Sequence, residues 1–167
     1  AQGSEGWQDL KKTVDYLRKN YPEIPVIADA KRGDIGSSNE AYVKSVFDYF
    51  GFDAVTVNPY VGREGLQPFL DKKDKGIIIL CKTSNPGSGE FQDGLWQQVA
   101  KNVAKNWNKN TNCVLVVGAT YPDELKQVRA IVGDMTLLVP GIGAQGGEVE
   151  ATVKAGLNSK GAGMIIN

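Results

Sequence analysis

Six short runs rich in valine, isoleucine and leucine recur along the chain, and they limit the folds that it can adopt. The runs are residues 26–30, 54–58, 76–82, 113–118, 136–140 and 162–167. They recur at intervals of roughly 20 to 40 residues, which leaves room for a helix between successive strands. Each run is short enough and apolar enough to predict a strand that is buried on both faces of a sheet.

Amphipathic helical patterns lie between these runs. Apolar residues recur every three or four positions at Trp7, Leu10, Val14 and Leu17, at Val43, Val46, Phe47 and Phe50, and at Leu125 and Val128. This spacing is typical of helices with one face on the core. Alternating strands and helices favour a parallel sheet with right-handed crossovers. Two architectures remain open, a doubly wound sheet and a (β/α) barrel.

Local signals predict three helix ends. Residues 37–40, Ser-Ser-Asn-Glu, match the pattern of a capping box. Pro122 precedes two acidic residues and suits the first turn of a helix. Gly156 follows a helical run and suits a helix C-terminus.

The length of the chain bears on the choice between the two architectures. Its 167 residues suit a single domain. A complete (β/α)₈ barrel usually has about 250 residues and at least about 200, and this chain opens on a helix and has six predicted strands. If the fold is a barrel, we expect its beginning to be missing.

Composition excludes several classes of function. Nineteen basic and nineteen acidic side chains cancel without a long basic run, which argues against nucleic-acid and membrane-surface binding and favours small-molecule or protein partners. No histidine is present, which removes Ser-His-Asp and Cys-His catalysis and most transition-metal sites. No apolar run is long enough to span a bilayer. Cys81 and Cys113 lie in apolar strand-like runs, and we expect buried, reduced thiols typical of a cytosolic protein.

The first predicted strand ends in charged residues. Side chains two apart in a strand share a face, so Asp29 and Lys31 should lie together at its C-terminal end. Arg32 and Gly33 then turn the chain and place Asp34 in the following loop. The structural interpretation is a buried ion pair that only fills space. The position favours a catalytic site, because active sites of parallel α/β folds lie at the C-terminal ends of strands.

Residues 139–148 form a glycine-rich loop between a strand and a helix. Their backbone amides can form an anion-binding nest, and a monophosphate at this position is a recurrent barrel arrangement. The loop also fits the dinucleotide pattern G-x-G-x-x-G. That pattern requires an acidic residue about 20 positions later, where this chain has residues 163–167, Gly-Met-Ile-Ile-Asn. A dinucleotide site is therefore disfavoured.

Residues 82–89, Lys-Thr-Ser-Asn-Pro-Gly-Ser-Gly, directly follow another buried strand. Their hydroxyls and amides can bind a ligand, and a simple turn explains them equally well. Residues 85–89 are the most turn-rich stretch of the chain, and they suit a mobile lid over a site.

These motifs together resemble a known enzyme family. The segments that carry the resemblance are residues 29–38 (Asp-Ala-Lys-Arg-Gly-Asp-Ile-Gly-Ser-Ser), 56–62 (Thr-Val-Asn-Pro-Tyr-Val-Gly), 82–87, 117–120 (Val-Gly-Ala-Thr) and 140–147 (Pro-Gly-Ile-Gly-Ala-Gln-Gly-Gly). They are similar to the orotidine 5′-phosphate decarboxylases, particularly the bacterial-type second group. The resemblance runs the whole length of the chain.

The resemblance implies the fold and the activity. The fold would be a (β/α)₈ TIM barrel, present here as an incomplete barrel of about strands 3 to 8 in a single partial domain over residues 1–167. The enzyme would be a cytoplasmic homodimer with shared active sites, and it would convert orotidine 5′-monophosphate to uridine 5′-monophosphate and carbon dioxide in pyrimidine biosynthesis without cofactor or metal. Against the family pattern, the chain lacks a first catalytic lysine, a ribose-binding aspartate and a C-terminal phosphate-binding arginine, so we expect this segment alone to have little activity.

The resemblance also implies roles for individual residues. Asp29 would face the substrate carboxylate, Lys31 would donate the proton to C6, and Asp34 would reach into the partner subunit's site. The implied substrate-binding residues are Ile35, Ser38, Ser84, Pro140 and Gln145, with Ser84 on the pyrimidine and Gln145 bridging towards the phosphate.

Two rival hypotheses remain open. A sugar-phosphate decarboxylase or aldolase of the same superfamily would share the Asp-x-Lys-x-x-Asp strand and use magnesium, although residues 83–86 and 143–146 argue against it. Alternatively, the 167 residues are a non-catalytic fragment that only binds ligand or dimerises.

Overall fold

The computed structural model describes residues 3–143 and 145–166. The strands are β1 (Ile27–Arg32), β2 (Ala54–Val57), β3 (Gly76–Lys82), β4 (Cys113–Val117), β5 (Leu137–Val139) and β6 (Met164–Ile166). The helices are α1 (Gly3–Asn20), α2 (Ser37–Val43), α3 (Gly62–Leu70), α4 (Gly89–Gln92), α5 (Trp96–Asn102), α6 (Pro122–Val132) and α7 (Val149–Gly156). All six predicted strands are therefore confirmed, and Asn167, at the end of the last predicted run, lies outside the described residues.

Strand order separates the two architectures that the periodicity left open. The six strands follow one another in the sheet in chain order, from β1 to β6. A doubly wound sheet reverses its strand order at a switch point, whereas a (β/α) barrel does not. The observed order is that of a barrel.

The chain divides into two compact units. The first ends at Ile77 and contains β1 and β2, which pair in parallel with Ile27 opposite Ala54. Their register shifts between Ala28 and Arg32, so β1 is irregular at its C-terminal end. That irregularity falls on the predicted catalytic segment. The single domain over residues 1–167 stays a prediction.

The second unit begins at Ile78. In it β4, β5 and β6 pair in parallel, with Leu137 of β5 opposite both Leu115 and Met164. The guanidinium of Arg129 on α6 donates to the carbonyl oxygens of Gly156 and Gly163 at 2.6 to 3.0 Å. This side chain therefore ties α6 to the end of α7 and to the approach to β6.

Burial differs along the sheet. All four residues of β2 are buried, and β3 and β4 are buried at most positions. The prediction of burial on both faces is wrong for β1 and β6, because β1 exposes Asp29 and Lys31 and β6 exposes Ile165 and Ile166. These are the first and last of the six strands in this segment. The structure therefore exposes the charged residues of β1.

The predicted capping box is wrong. Helix α2 begins at Ser37, its N-cap is Gly36 with a φ of 54°, and no side chain caps it. Ser37 is therefore already inside the helix and cannot accept a bond as the cap residue. The other two helix ends are confirmed, since α6 begins at Pro122 and α7 ends at Gly156.

The predicted helices bury different numbers of their apolar residues. After α2 the chain continues as a π-helical segment, Lys44–Phe50, and this stretch buries Val46, Phe47 and Phe50. In α1 only Val14 is buried, and the indole of Trp7 stacks on Phe50 at a centroid distance of 5.1 Å while remaining half exposed. The π-helical segment therefore supplies three apolar side chains to the core.

Cys81 and Cys113 are buried and free, as predicted. Burial raises the pKa of the Cys81 thiol to about 12 and that of the Cys113 thiol to about 11. Within residues 3–143 and 145–166, no helix is both long and apolar enough to cross a membrane.

Candidate active site

Asp29 and Lys31 form an ion pair on β1. The Lys31 Nζ donates to both carboxylate oxygens of Asp29 at 2.7 Å. The two side chains are well exposed, at 63% for Asp29 and 53% for Lys31. The structural interpretation of a buried pair that fills space therefore does not apply. An exposed pair contributes little to stability, and its polar groups are free to contact a ligand.

A threonine on the neighbouring strand contacts both members of this pair. The Thr56 Oγ1 donates to Asp29 Oδ1 at 2.9 Å and accepts from the backbone N–H of Lys31 at 2.9 Å. Burial alone would raise the pKa of Asp29, but hydrogen bonds from Lys31 and Thr56, together with the ammonium charge, bring that pKa below its ordinary value. Asp29 is therefore ionised at neutral pH.

The backbone at Lys31 adopts a left-handed conformation. Its φ is 46°, and only one other non-glycine residue in the described chain has a positive φ. This conformation coincides with the register shift between β1 and β2. For a residue with a Cβ it costs on the order of 1–2 kcal/mol. The surrounding contacts must therefore hold Lys31 in place.

Asp34 is held mainly through its backbone. The Asn39 side chain accepts from the Asp34 N–H at 3.2 Å and donates to the carbonyl oxygens of Asp34 and Gly65 at 2.6 Å each. The Asp34 carboxylate accepts from the N–H of Ile35 at 2.8 Å. Within the described part of the chain Asp34 forms no ion pair with Lys31, so two members of the predicted acid-lysine-acid set come together and the third does not.

The next two predicted residues extend away from this cluster. Ile35 is a large exposed hydrophobic residue in the loop after β1, and Ser38 is exposed in the first turn of α2. Neither is part of the core. Both are available to a ligand or a partner chain.

In the second unit, Ser84 and Gln145 approach one glycine. A Cβ built on Gly141 would lie 3.0 Å from the Ser84 Cβ and 3.2 Å from Gln145 Oε1. A Cβ on Gly118 would lie 2.7 Å from the Ser84 Cα. Two glycines therefore give Ser84 the space it occupies, and the structure brings Ser84 and Gln145 together at Gly141. Their roles in substrate binding stay predictions. Pro140 directly follows β5 and is half-buried, and its carbonyl accepts from the Ala119 N–H at 2.8 Å.

The glycine-rich loop closes on itself. The N–H groups of Gly143, Gly146 and Gly147 donate to carbonyls inside the loop at 2.8 to 3.2 Å. Those three amides do not form the predicted anion-binding nest, because they already have partners. Helix α7 also begins beside Glu148 and Glu150, whose carboxylates disfavour an anion at that terminus. Phosphate binding by this loop stays a prediction, and Ala144 lies outside the described residues.

Sequence reasoning missed a buried lysine two residues before Ser84. Lys82 is only 1% exposed, and its Nζ donates to Asp93 Oδ1 at 2.5 Å. It also lies 4.4 Å from the centroid of the Tyr121 ring. Tyr121 in turn accepts from Ser88 Oγ at 3.2 Å and donates to the Asn85 carbonyl at 3.3 Å. A lysine at the end of a buried apolar strand was the available signal, because such a charge requires a partner.

These contacts define the segment that was predicted to be a lid. Residues 86–88 form a 3₁₀ turn, and Ser88 is buried. The Thr83 N–H donates to Gln92 Oε1 at 2.8 Å, which closes the loop at its base. The segment is thus a folded loop anchored on Lys82 and Tyr121, and its motion stays a prediction.

Among the described residues, no group of three or more histidine, cysteine, aspartate and glutamate side chains lies together as a metal site. Sequence reasoning also gave no role to Thr56 or Asn39. Both are polar residues buried among apolar neighbours, a pattern that indicates a specific hydrogen-bond partner.

Known proteins match this chain over nearly its whole length. The model of the family described as "Orotidine 5'-phosphate decarboxylase / HUMPS family" matches residues 2–166. A protein named orotidine 5′-phosphate decarboxylase from Janthinobacterium sp. is 56% identical over 95% of this chain. One of the same name from Aromatoleum aromaticum is 50% identical over 100% of it. The chain spans 60% and 64% of the length of these two relatives.

Solved structures agree with the sequence matches. The structure of Leishmania donovani UMP synthase superimposes with a TM-score of 0.94 at 45% identity, covering 99% of this chain and 38% of that one. Leishmania donovani OMP decarboxylase gives a TM-score of 0.92 at 43% identity, covering 99% of this chain and 66% of that one. The predicted fold class is confirmed: the chain has the α/β fold of an incomplete (β/α)₈ barrel. With its motifs, its fold and a family match over residues 2–166, the chain belongs to the orotidine 5′-phosphate decarboxylase / HUMPS family.

Proposed function

We propose that the protein decarboxylates orotidine 5′-monophosphate to uridine 5′-monophosphate without cofactor or metal, and that Lys31 donates the proton to C6. The observation that carries the proposal is the exposed Asp29–Lys31 ion pair near the C-terminal end of β1, in a chain of this family. The relatives named orotidine 5′-phosphate decarboxylase support the same reaction.

The chemistry requires a fixed positive charge beside C6. When the C6–carboxylate bond breaks, the electron pair stays on C6, where no π-system absorbs it. The Lys31 ammonium stabilises that carbanion electrostatically and then transfers a proton from Nζ to C6. The neutral amine recovers its proton from solvent, and carbon dioxide leaves. The exposure of Lys31 supports this role, because Nζ is accessible to a ligand.

Asp29 has two functions in this proposal. Its hydrogen bonds to Lys31 Nζ fix the ammonium in direction and position. Its carboxylate also faces the substrate carboxylate, and two like charges about 4 Å apart repel by roughly 4 kcal/mol at an effective dielectric constant near 20. Loss of carbon dioxide relieves that repulsion. The lowered pKa of Asp29 supports this role, since the carboxylate is charged at the pH of the reaction.

The second set of residues binds substrate away from C6. We assign pyrimidine recognition to Ser84, a bridging position towards the phosphate to Gln145, and a further substrate contact to Pro140. The shared approach of Ser84 and Gln145 to Gly141 supports this assignment, because it places the two side chains close enough together to contact the same ligand. Binding energy from the phosphate would favour closure over the site and assist the chemical step.

We propose that the enzyme is a homodimer with shared active sites and that it is cytoplasmic. Asp34, Ile35 and Ser38 would contact the ligand in the partner's site. Two features support this: Asp34 forms no ion pair with Lys31 within the described residues, and Ile35 is exposed. The free thiols of Cys81 and Cys113 support a reducing compartment.

The test is a product assay on the protein expressed from its complete reading frame. Loss of orotidine 5′-monophosphate absorbance should be matched by equal amounts of uridine 5′-monophosphate and carbon dioxide, and a chelator should leave the rate unchanged. Activity on a sugar phosphate that disappears with chelator would instead support the magnesium-dependent rival. Failure to convert orotidine 5′-monophosphate would refute the proposed function.

A further inference from the structure

We propose that Thr56 is a positioning residue that holds the Asp29 carboxylate and the Lys31 backbone in their working geometry. The inference rests on the proposed function. Its starting observation is one hydroxyl in contact with both residues: Thr56 Oγ1 lies 2.9 Å from Asp29 Oδ1 and 2.9 Å from the Lys31 backbone N. Thr56 touches no substrate in this proposal and acts through its neighbours.

The environment of Thr56 makes these bonds specific. The residue lies in β2, whose sequence is Ala-Val-Thr-Val and whose four positions are all buried. Thr56 itself is 2% exposed, so water does not compete for its hydroxyl. A hydroxyl has one proton to donate, and its shorter contact is with Asp29, because the Ala28 carbonyl oxygen lies farther away at 3.4 Å. The donor and the acceptor functions of Oγ1 are therefore each directed at one predicted catalytic residue.

The conformation of Lys31 explains why an anchor is needed. At a φ of 46° the backbone is in the left-handed region, and a residue with a side chain leaves that region unless its surroundings hold it there. The bond from the Lys31 N–H to Thr56 Oγ1 fixes the peptide group from which the lysine side chain departs. Without it, the Lys31 backbone loses a bond that restrains it in this conformation, and the position of Nζ relative to the Asp29 carboxylate is less fixed.

The second effect of Thr56 is electrostatic. A hydrogen bond donated to a carboxylate favours its charged form, and the bond from Thr56 is one cause of the lowered pKa of Asp29. Removal of the hydroxyl should raise that pKa. The acid limb of the pH–rate profile should then move to higher pH.

The experiment compares three variants of the protein expressed from its complete reading frame. Thr56→Val keeps the shape of the side chain and removes the hydroxyl, and Thr56→Ser keeps the hydroxyl. Thr152→Val is the matched control, because Thr152 is fully buried and its Oγ1 has no partner among the described residues. With orotidine 5′-monophosphate, Thr56→Val should lower kcat at least about tenfold with KM within about threefold. Such a split indicates loss of an interaction made in the transition state.

The conservative variant should rescue the effect. Thr56→Ser should retain at least about a third of the wild-type kcat and an unshifted acid limb, and Thr152→Val should match the wild type in both. Equal losses in Thr56→Val and Thr56→Ser would overturn the proposal, because packing of the methyl group would then be responsible. A kcat for Thr56→Val within about twofold of the wild type would overturn it as well. If Thr56→Val does not fold, Thr56→Ala takes its place under the same criteria.

Two readouts without substrate separate this inference from the proposed function. Carboxyl NMR should show a higher Asp29 pKa in Thr56→Val, and amide exchange at Lys31 should be faster. If the wild type does not convert orotidine 5′-monophosphate but both shifts occur, the proposed function fails and the positioning role stands. If neither shift occurs, the positioning role fails, whatever the activity.

Discussion

Two lysine–aspartate pairs in this chain have opposite environments. Lys31 and Asp29 are both more than half exposed, at 53% and 63%. Lys82 is 1% exposed, although its partner Asp93 is 66% exposed. The first pair lies on a strained, irregular stretch of β1, and the second closes the loop that contains Ser84.

The two pairs differ in what their charges do. The exposed pair fits a role in chemistry, and the buried lysine fits a role in folding. An exposed pair contributes about 0–1 kcal/mol to stability, so the strain at Lys31 is not repaid by its ion pair with Asp29. A left-handed backbone without a stability benefit is typical of functional sites. A buried lysine, by contrast, costs several kcal/mol to desolvate and must be paired. Lys82 therefore makes the fold depend on Asp93.

The largest expected effect is on turnover at the exposed pair. Lys31→Ala should lower kcat at least about a thousandfold, which corresponds to about 4 kcal/mol, because the proton donor is lost. The free energy of unfolding, measured in urea, should change by less than about 1 kcal/mol. If the folded variant lost less than about tenfold in kcat, the exposed pair would not have the chemical role assigned to it.

The next effect is on stability at the buried pair, and it should be asymmetric. Asp93→Ala leaves a buried ammonium without its carboxylate and should lower the free energy of unfolding by about 3 kcal/mol. Lys82→Met keeps the apolar stem, removes the buried charge and leaves only an exposed carboxylate, so its cost should be about 1 kcal/mol. Urea unfolding of both variants checks the order. If Lys82→Met lost more free energy of unfolding than Asp93→Ala, Lys82 would not make the fold depend on Asp93.

The smallest expected effect is on the reactivity of a thiol next to the buried pair. Cys81 precedes Lys82 in β3, its Sγ donates to the Trp96 carbonyl at 3.3 Å, and burial raises its pKa to about 12. At pH 8 it should react with a thiol reagent only when this region opens. Asp93→Ala should accelerate that reaction at least about tenfold, whereas Lys31→Ala should leave it unchanged. Mass spectrometry of the labelled protein measures the rate. Equal acceleration in the two variants would contradict separate roles for the two pairs.

The raised thiol pKa also fixes the sign of a pH effect. The unfolded chain ionises Cys81 near its ordinary pKa of 9.0, and the folded chain does so at about 12. The folded state therefore binds more protons over that window, and stability should fall as pH rises through it. Well below pH 9, where the thiol is protonated in both states, its contribution should be constant.

The sheet could be predicted from the sequence because its signals are local. Runs such as residues 76–82 combine apolar β-formers with clear boundaries, and the observed β3 spans the same residues. The face shared by Asp29 and Lys31 follows from strand alternation alone. The exposure of Asp29 and Lys31 could not be predicted, because the residues of one strand do not say which other elements cover it.

The finer features of the site depend on long-range contacts. The bonds of Thr56 to Asp29 and Lys31 join positions 27 and 25 residues apart, and the left-handed φ of Lys31 has no signal in the residue itself. The predicted capping box was wrong because it requires Ser37 to be the N-cap, just outside the helix. The same four residues also fit a helix that begins at Ser37 itself, which the structure has. Lys82 and Asp93 were both visible, but only the folded loop shows that they meet.

The most direct test is to make one substitution at both lysines and measure turnover of orotidine 5′-monophosphate side by side. Lys31→Met and Lys82→Met remove the same charge and keep similar stems. With the protein expressed from its complete reading frame and saturating substrate, kcat should fall at least about a thousandfold in Lys31→Met and less than about tenfold in Lys82→Met. Equal losses in the two variants, or turnover by Lys31→Met close to that of the wild type, would contradict the division of chemistry and folding between the two pairs.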